Sequence, residues 1–273
     1  FIFNNENVSF VFNPNYPEQT VTFSESQENI LYGEYLEAVN SNQHKLDSLQ
    51  IVAIQTPNDS ISTTYKKILR SVNQVQNIYM QQSKDMMVNH FIKATQRKNA
   101  PEVNISMQDY LSTFVNTFFD NMDFSDEVLY NSSFLVDRIT NYIFDLHYSD
   151  DVNSQQNLYK ESIATVMTKI TDSKFKKDVS EFLVAQFTAS KNVEIVDYIF
   201  DNYYKKLPET LQNKKFIEET LEKLVAEVGR TAPDFSWKEG VKSYNLSTLT
   251  GSENYILVFW STSCSHCLRE IPQ

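Results

Sequence analysis

The 273-residue chain carries 35 acidic against 24 basic side chains, a net charge of −11, which excludes a phosphate-neutralising nucleic-acid surface. Only 4 glycines occur, so glycine-rich phosphate cradles are excluded and helices are favoured. Hydrophobic residues at 41% suffice for a sizeable core, yet no apolar run reaches the roughly 18–20 residues that span a bilayer.

Residues 1–23 alternate with period two. Val8, Phe10 and Phe12 share one face, and Thr20 and Thr22 lie opposite Val21 and Phe23. These read as short strands, too few to stand alone, and are expected to be the remnant of a larger N-terminal β-rich domain. The first residue reads as an arbitrary start, with room for a leader upstream.

From Ser24 the period becomes helical. Ser24 with Gln27 resembles a capping box, followed by Tyr32, Tyr35, Leu36 and Val39 on one face. Pro57 ends this helix, and a second begins after a capping residue in "NDSISTTY". In "SMQDYLSTFVNTFF" the residues Met107, Tyr110, Leu111, Phe114, Val115, Phe118 and Phe119 form an apolar stripe wide enough to face a core. Further helices are expected over about 133–147, 154–170, 173–190, 193–205 and 212–228. The last presents Ile217, Leu221, Leu224, Val225 and Val228 on one face. Short polar connections predict antiparallel neighbours. The fold class expected is mainly α: a helical bundle or array over 24–228, with the β remnant at 1–23.

The pattern changes again at Gly229. Three of the four glycines (Gly229, Gly240, Gly251), Pro233 and short β-prone runs lead into the continuous apolar segment Tyr255–Trp260. Such a run suits a strand buried on both faces of a sheet. Residues 229–273 are therefore expected to begin a separate α/β domain.

Both cysteines of the chain, Cys264 and Cys267, follow that segment in a C-x-x-C spacing that redox enzymes use. Cys264 before the first turn of a helix meets unpaired backbone N–H groups, which favour the thiolate. Cys267, one turn on and expected to be buried, can resolve a mixed disulfide. Between them lie Ser265 and His266, and a protonated or hydrogen-bonding His266 would favour the Cys264 thiolate further. Two structural thiols, or half of a zinc site, are the plainer alternatives. Zinc, however, requires four ligands, and no second cysteine pair exists.

The stretch "APDFSW…LSTLTGSENYILVFWSTSCSHCLREIP" resembles the opening of the TlpA-like branch of the thioredoxin superfamily. Ala232-Pro233-Asp234-Phe235, Leu249, Phe259-Trp260, Thr262, Cys264, Cys267, Glu270 and Pro272 carry the resemblance. It implies thiol–disulfide exchange on protein thiols and disulfides, fed by an upstream electron donor or acceptor, with no cofactor beyond a Cys264–Cys267 disulfide. It assigns attack to Cys264, resolution to Cys267 and the helix kink to Pro272, with Trp260, Ser265 and His266 in support. Two departures stand out: Ser263 replaces the usual aromatic before the first cysteine, and Val258 occupies the position of thioredoxin's buried acid. Glu270 is then the nearest candidate base for Cys267, although a solvated helix residue explains it more simply.

Upstream, "FFDNMDFSDEVLYNSSFLVDRITNYI" and "VDYIFDNYYKK" resemble the helical domain of unknown function placed before TlpA-like domains in Bacteroidetes envelope proteins. That resemblance implies the periplasm or cell envelope, with membrane attachment only through a leader or lipid anchor. It names no chemistry. The alternative reading is a non-enzymatic interaction module, the 273-residue chain itself being catalytically inactive because the thioredoxin-like fold is incomplete. Asp120, Asp123 and Asp126 read as capping and turn residues rather than a cation site. His44, His90 and His147 are scattered and read as surface or core histidines.

Overall fold

The computed structural model describes residues 1–16, 20–103 and 106–270. It is mainly α-helical, with eleven α-helices and two small antiparallel sheets among the described residues. Strands β1 (Ser9–Val11) and β2 (Thr22–Glu25) pair with Phe10 opposite Phe23. Their aromatic face gathers Phe1, Phe10, Phe12 and Phe23 ring against ring, largely exposed.

Helix α1 (Gln27–Gln55) begins later than the capping box predicts. Ser24 lies in β2, where its hydroxyl donates to the Ser9 carbonyl at 3.4 Å. The cap is Ser26, whose φ of +99° turns the strand into the helix and whose hydroxyl oxygen accepts from the Asn29 N–H. Sequence alone could not favour Ser26 over Ser24, because strand pairing withdraws Ser24 from the contest.

That first turn ties three parts of the chain together. Asn29 bonds both ways with the Ile2 backbone, accepting its N–H at 2.8 Å and donating to its carbonyl at 2.6 Å. Ser26 and the Gln27 N–H both bond the Glu6 carboxylate. Glu28, only 5% exposed, accepts the Met87 N–H at 3.0 Å and the Val88 N–H at 2.6 Å, and also the Asn4 amide. A carboxylate there meets the unpaired N–H groups at the start of α3 (Val88–Thr95), where negative charge is favoured. Periodicity gave no sign of α3, which at 8 residues is too short to announce itself.

Helix α2 (Asp59–Gln82), capped by Asn58, returns antiparallel along α1 after the break at Pro57. The far ends of the two enclose a small core of Leu46, Tyr65 and Val72. Helix α4 (Met107–Thr117) departs from expectation. Met107 and Leu111 are exposed, and only the end of the predicted stripe, Phe118 and Phe119, is buried. The stripe therefore covers the main core through its C-terminal half, where Phe114 and Val115 pack against it half-buried and Phe118 and Phe119 enter it.

The main core lies among α1, α3, the end of α4 and the helices that follow: α5 (Glu127–Tyr130), α6 (Phe134–Thr140), α7 (Val152–Lys169), α8 (Ser173–Ala189), α9 (Val193–Asn202) and α10 (Lys214–Leu224). The helix predicted over 133–147 changes to a π-helical turn at Asn141–Asp145. Between α8 and α9 the chain reverses through a Schellman turn. Lys191 takes φ +57°, while the Asn192 and Lys191 N–H groups return to the carbonyls of Phe187 and Thr188. Tyr204, fully buried, donates to Glu181 and accepts the Asn213 N–H, and burial pushes its pKa up to about 12.

Helix α10 ends four residues before the expected 228. Its buried residues are Thr220 and Leu224, whereas Leu221, Val225 and Val228 face solvent. The apolar face predicted there is covered only in part: Leu224 is buried and Ile217 packs against the main core, while Leu221, Val225 and Val228 are exposed.

Two outcomes check this arrangement. Replacing Glu28 by Ala leaves two backbone N–H groups at the head of α3 unpaired and should lower stability by about 2–3 kcal/mol in urea denaturation. Leu224→Ala should cost about 2–4 kcal/mol, while Val228→Ser should stay within about 0.5 kcal/mol.

Candidate functional site

Downstream of the helices, Asp234 organises the first turn of the C-terminal segment. Its carboxylate accepts the Ser247 N–H at 2.9 Å and the Ser247 hydroxyl at 2.6 Å, and these bonds hold its pKa below the usual carboxylate range. Between the two residues runs a hairpin of β3 (Ser236–Glu239) and β4 (Lys242–Asn245). Its tight turn uses Gly240 at φ +60°, and Trp237 stacks on Tyr244 with ring centroids 5.6 Å apart. Asp234 and Phe235, two residues of the A-P-D-F motif, thus close the base of this hairpin, with the Leu246 N–H returning to the Phe235 carbonyl.

The segment Tyr255–Trp260 corrects the sequence reading. It forms no strand and is exposed along its length, Ile256 to 90% and Phe259 to 85%. A strand buried on both faces needs paired neighbours and layers above and below it. Among the described residues, β3 and β4 pair only with each other. Trp260 is likewise exposed and makes no ring contact with another described aromatic residue.

After Trp260 the chain turns through Ser261–Ser263. Ser261 accepts the Cys264 N–H at 3.0 Å through its carbonyl, and its side chain meets the Ser263 hydroxyl at 2.8 Å. Helix α11 (Ser265–Glu270) starts immediately after Cys264. The sulfurs of Cys264 and Cys267 lie at bonding distance, with Cα atoms 5.2 Å apart, a separation that a disulfide spans without distortion of the backbone. The Cys267 N–H also donates to the Cys264 sulfur at 3.2 Å.

The remaining predicted site residues fall as follows. Ser265 is the first residue of α11 and is exposed. His266 is turned to Arg269, whose guanidinium donates to its Nδ1 at 2.8 Å, so the expected hydrogen bond to Cys264 is absent among the described contacts. Cys267 is half-buried, as is Cys264; the expected full burial of Cys267 behind its partner is not found, since no described element packs over this six-residue helix. Glu270 is exposed. Pro272 lies outside the described residues.

Within the helical body the aspartate cluster does the work of turns and caps. Asp126 caps α5 through the Val128 and Leu129 N–H groups, and its other oxygen meets His90 Nδ1 at 2.6 Å. Asp123 holds Ser125, whose hydroxyl and N–H keep the carboxyl below its ordinary pKa, and Asp120 pairs with Lys98 at 3.1 Å. His147 bonds the Tyr142 carbonyl at 2.6 Å. Sequence spacing missed the pairing of His90 with Asp126, 36 residues apart, since only the fold brings α3 beside the head of α5. No described group of three or more His, Cys, Asp or Glu residues is arranged to hold a metal ion.

Compared with known proteins, the chain matches no protein-family model, no curated protein and no solved structure. The thioredoxin-like resemblance rests on the residues of 229–273 that carry it. With both cysteines half-buried and no described element packed over them, the reduced chain should take up two equivalents of an alkylating reagent without denaturant. Mass spectrometry before and after mild reduction checks this.

Proposed function

We propose that Cys264 and Cys267 exchange thiols and disulfides with a protein substrate, as the opening of a TlpA-like redox domain. The observation that carries the reading is their placement at the head of α11, sulfur against sulfur, with the Cys267 N–H donating to the Cys264 sulfur. A backbone donor in that position favours the thiolate over the thiol, and the thiolate is the nucleophile.

From the reduced pair, the Cys264 thiolate attacks one sulfur of a substrate disulfide. The substrate S–S bond breaks, its other sulfur leaves as a thiolate, and a mixed disulfide forms. The Cys267 thiolate then attacks the Cys264 sulfur, releases the second substrate thiolate and closes the Cys264–Cys267 disulfide. Two electrons pass from the pair to the substrate; the reverse sequence oxidises a substrate dithiol. No carboxylate hydrogen-bonds to either sulfur among the described residues, so the Cys267 proton passes to solvent. Disulfide chemistry of this kind fits an oxidising compartment, which supports a place in the bacterial cell envelope. In this reading the helical body positions the partner or substrate.

A second reading takes the helical body as an interaction module in its own right. The exposure of Ile51 and Val52 near the far end of α1, away from the main core, favours it. Replacing both cysteines by serine separates the two readings: binding by the body survives, and exchange does not.

Cys267→Ser removes the resolving thiol. It should accumulate a mixed disulfide at Cys264 when the reduced chain meets a disulfide-bonded protein, seen as a non-reducing band shift, whereas Cys264→Ser should not. Alkylation of Cys264 across pH should report a pKa below the ordinary value of about 8.5. Titration at that ordinary value, or trapping through Cys267 instead, would count against the proposal. Insulin reduction by the 273-residue chain should be slow, because the segment leading to the cysteines is not held in a sheet.

A further inference from the structure

Beside the first turn of α1, the N-terminal residues, α3 and the heads of α5 and α6 border an open cleft of about 640 Å³. That volume falls within the range that small organic ligands occupy in proteins. One wall is aromatic. Tyr32, Phe91 and Phe134 line it in a single run, with successive ring centroids 6.1 and 5.8 Å apart and the rings inclined to one another. The two charged side chains of the lining are both acidic: Glu127 in the first turn of α5 and Asp137 in the first turn of α6. No lysine, arginine or histidine side chain lines the cleft.

Among the described residues, neither carboxylate takes part in a hydrogen bond or an ion pair. Asp120 and Asp126, by contrast, meet Lys98 and His90. Arg138, next in the chain to Asp137, is turned over the Phe118 ring instead. The Tyr32 hydroxyl makes no described hydrogen bond either, and burial pushes its pKa up to about 12, so it stays neutral.

We propose that this cleft binds a small organic cation with an apolar body, its charge held by Glu127 and Asp137 and its body laid against the Tyr32, Phe91 and Phe134 rings. Ionised carboxylates only accept hydrogen bonds, so the ligand they favour is a cationic donor. Ring faces attract the same charge and also gain from covering the apolar body. A neutral ligand would desolvate the carboxylates without pairing them, and an anion would be repelled. The helix dipoles favour acids at these two positions, but they leave the run of rings beside them unexplained. The inference stands apart from the redox reading, because no residue of the cleft belongs to 229–273.

Benzylguanidinium and its uncharged near-isostere benzylurea test this by isothermal titration calorimetry on the full oxidised chain, which neither probe can reduce. At millimolar concentrations and low salt, benzylguanidinium should bind about tenfold more tightly than benzylurea. Glu127→Gln and Asp137→Asn should each weaken benzylguanidinium about threefold and leave benzylurea unchanged. Phe134→Leu keeps the apolar contact but removes a ring face, and should weaken the cation about threefold with circular dichroism unchanged. Glu219→Gln, on α10, removes the same charge elsewhere and should change neither affinity. Equal affinity for the two probes, no binding of benzylguanidinium, or a loss shared by Glu219→Gln would overturn the inference.

Discussion

The buried carboxylate of Glu28 is the constraint on which the upstream half of this fold depends. Taking a charge out of water is costly, and this one is tolerated because backbone N–H groups at the head of α3 and the Asn4 amide surround it. The exchange has geometric consequences. Glu28 can reach α3 only if α1 starts at Gln27, and α1 starts there only because Ser26 adopts a positive φ and caps it. Asn29, on the same turn, pins the chain at Ile2, and Ser26 holds Glu6. One helical turn thus fixes the N-terminal strands, the first helix and the short third helix together.

With that corner set, the rest of the body follows from apolar burial. Phe118, Phe119, Phe124 and Tyr142 pack ring against ring where the end of α4 meets the π-helical turn after α6, and Phe187, Tyr159 and Phe144 repeat the pattern between α7 and α8. Polar groups drawn into these layers are satisfied locally: Tyr204 by Glu181 and Asn213, Asp126 by His90 and two backbone N–H groups. This explains why the body's titratable groups are occupied with structure. The half-buried Arg138, whose pKa burial lowers, is an exception: it lies over the Phe118 ring at 4.1 Å, and its Nε has no hydrogen-bond partner among the described residues.

The C-terminal segment obeys different physics. It is held by local contacts: the Asp234–Ser247 clasp, the Trp237–Tyr244 stack and the Cys264–Cys267 pair. None needs a hydrophobic core, which is why a largely exposed stretch keeps ordered turns. Among the described residues, no hydrogen bond, ion pair or ring contact joins residues 231–270 to the helical body.

The helical class, the break at Pro57, the cap of α2 and the C-x-x-C pair were legible because each depends on residues within a turn or two of one another. Tyr35 and Val39 reached the core as their spacing predicts. What failed was whatever depends on a distant partner. Ser24 lost the cap because Ser9 lies across from it; Leu221 and Val225 stayed exposed because no described helix covers them; Tyr255–Trp260, the most strand-like run in the chain, has no strand beside it among the described residues. Likewise His90 with Asp126, Arg230 with Asp197 and Glu28 with α3 join residues 33 to 60 apart. By itself the sequence determined much of the local conformation and the close spacing of the two cysteines, since those follow from short-range sterics, hydrogen bonding and spacing. Tertiary structure alone decided which apolar faces were buried and which charges met, because burial and pairing require surfaces that only the folded chain brings together.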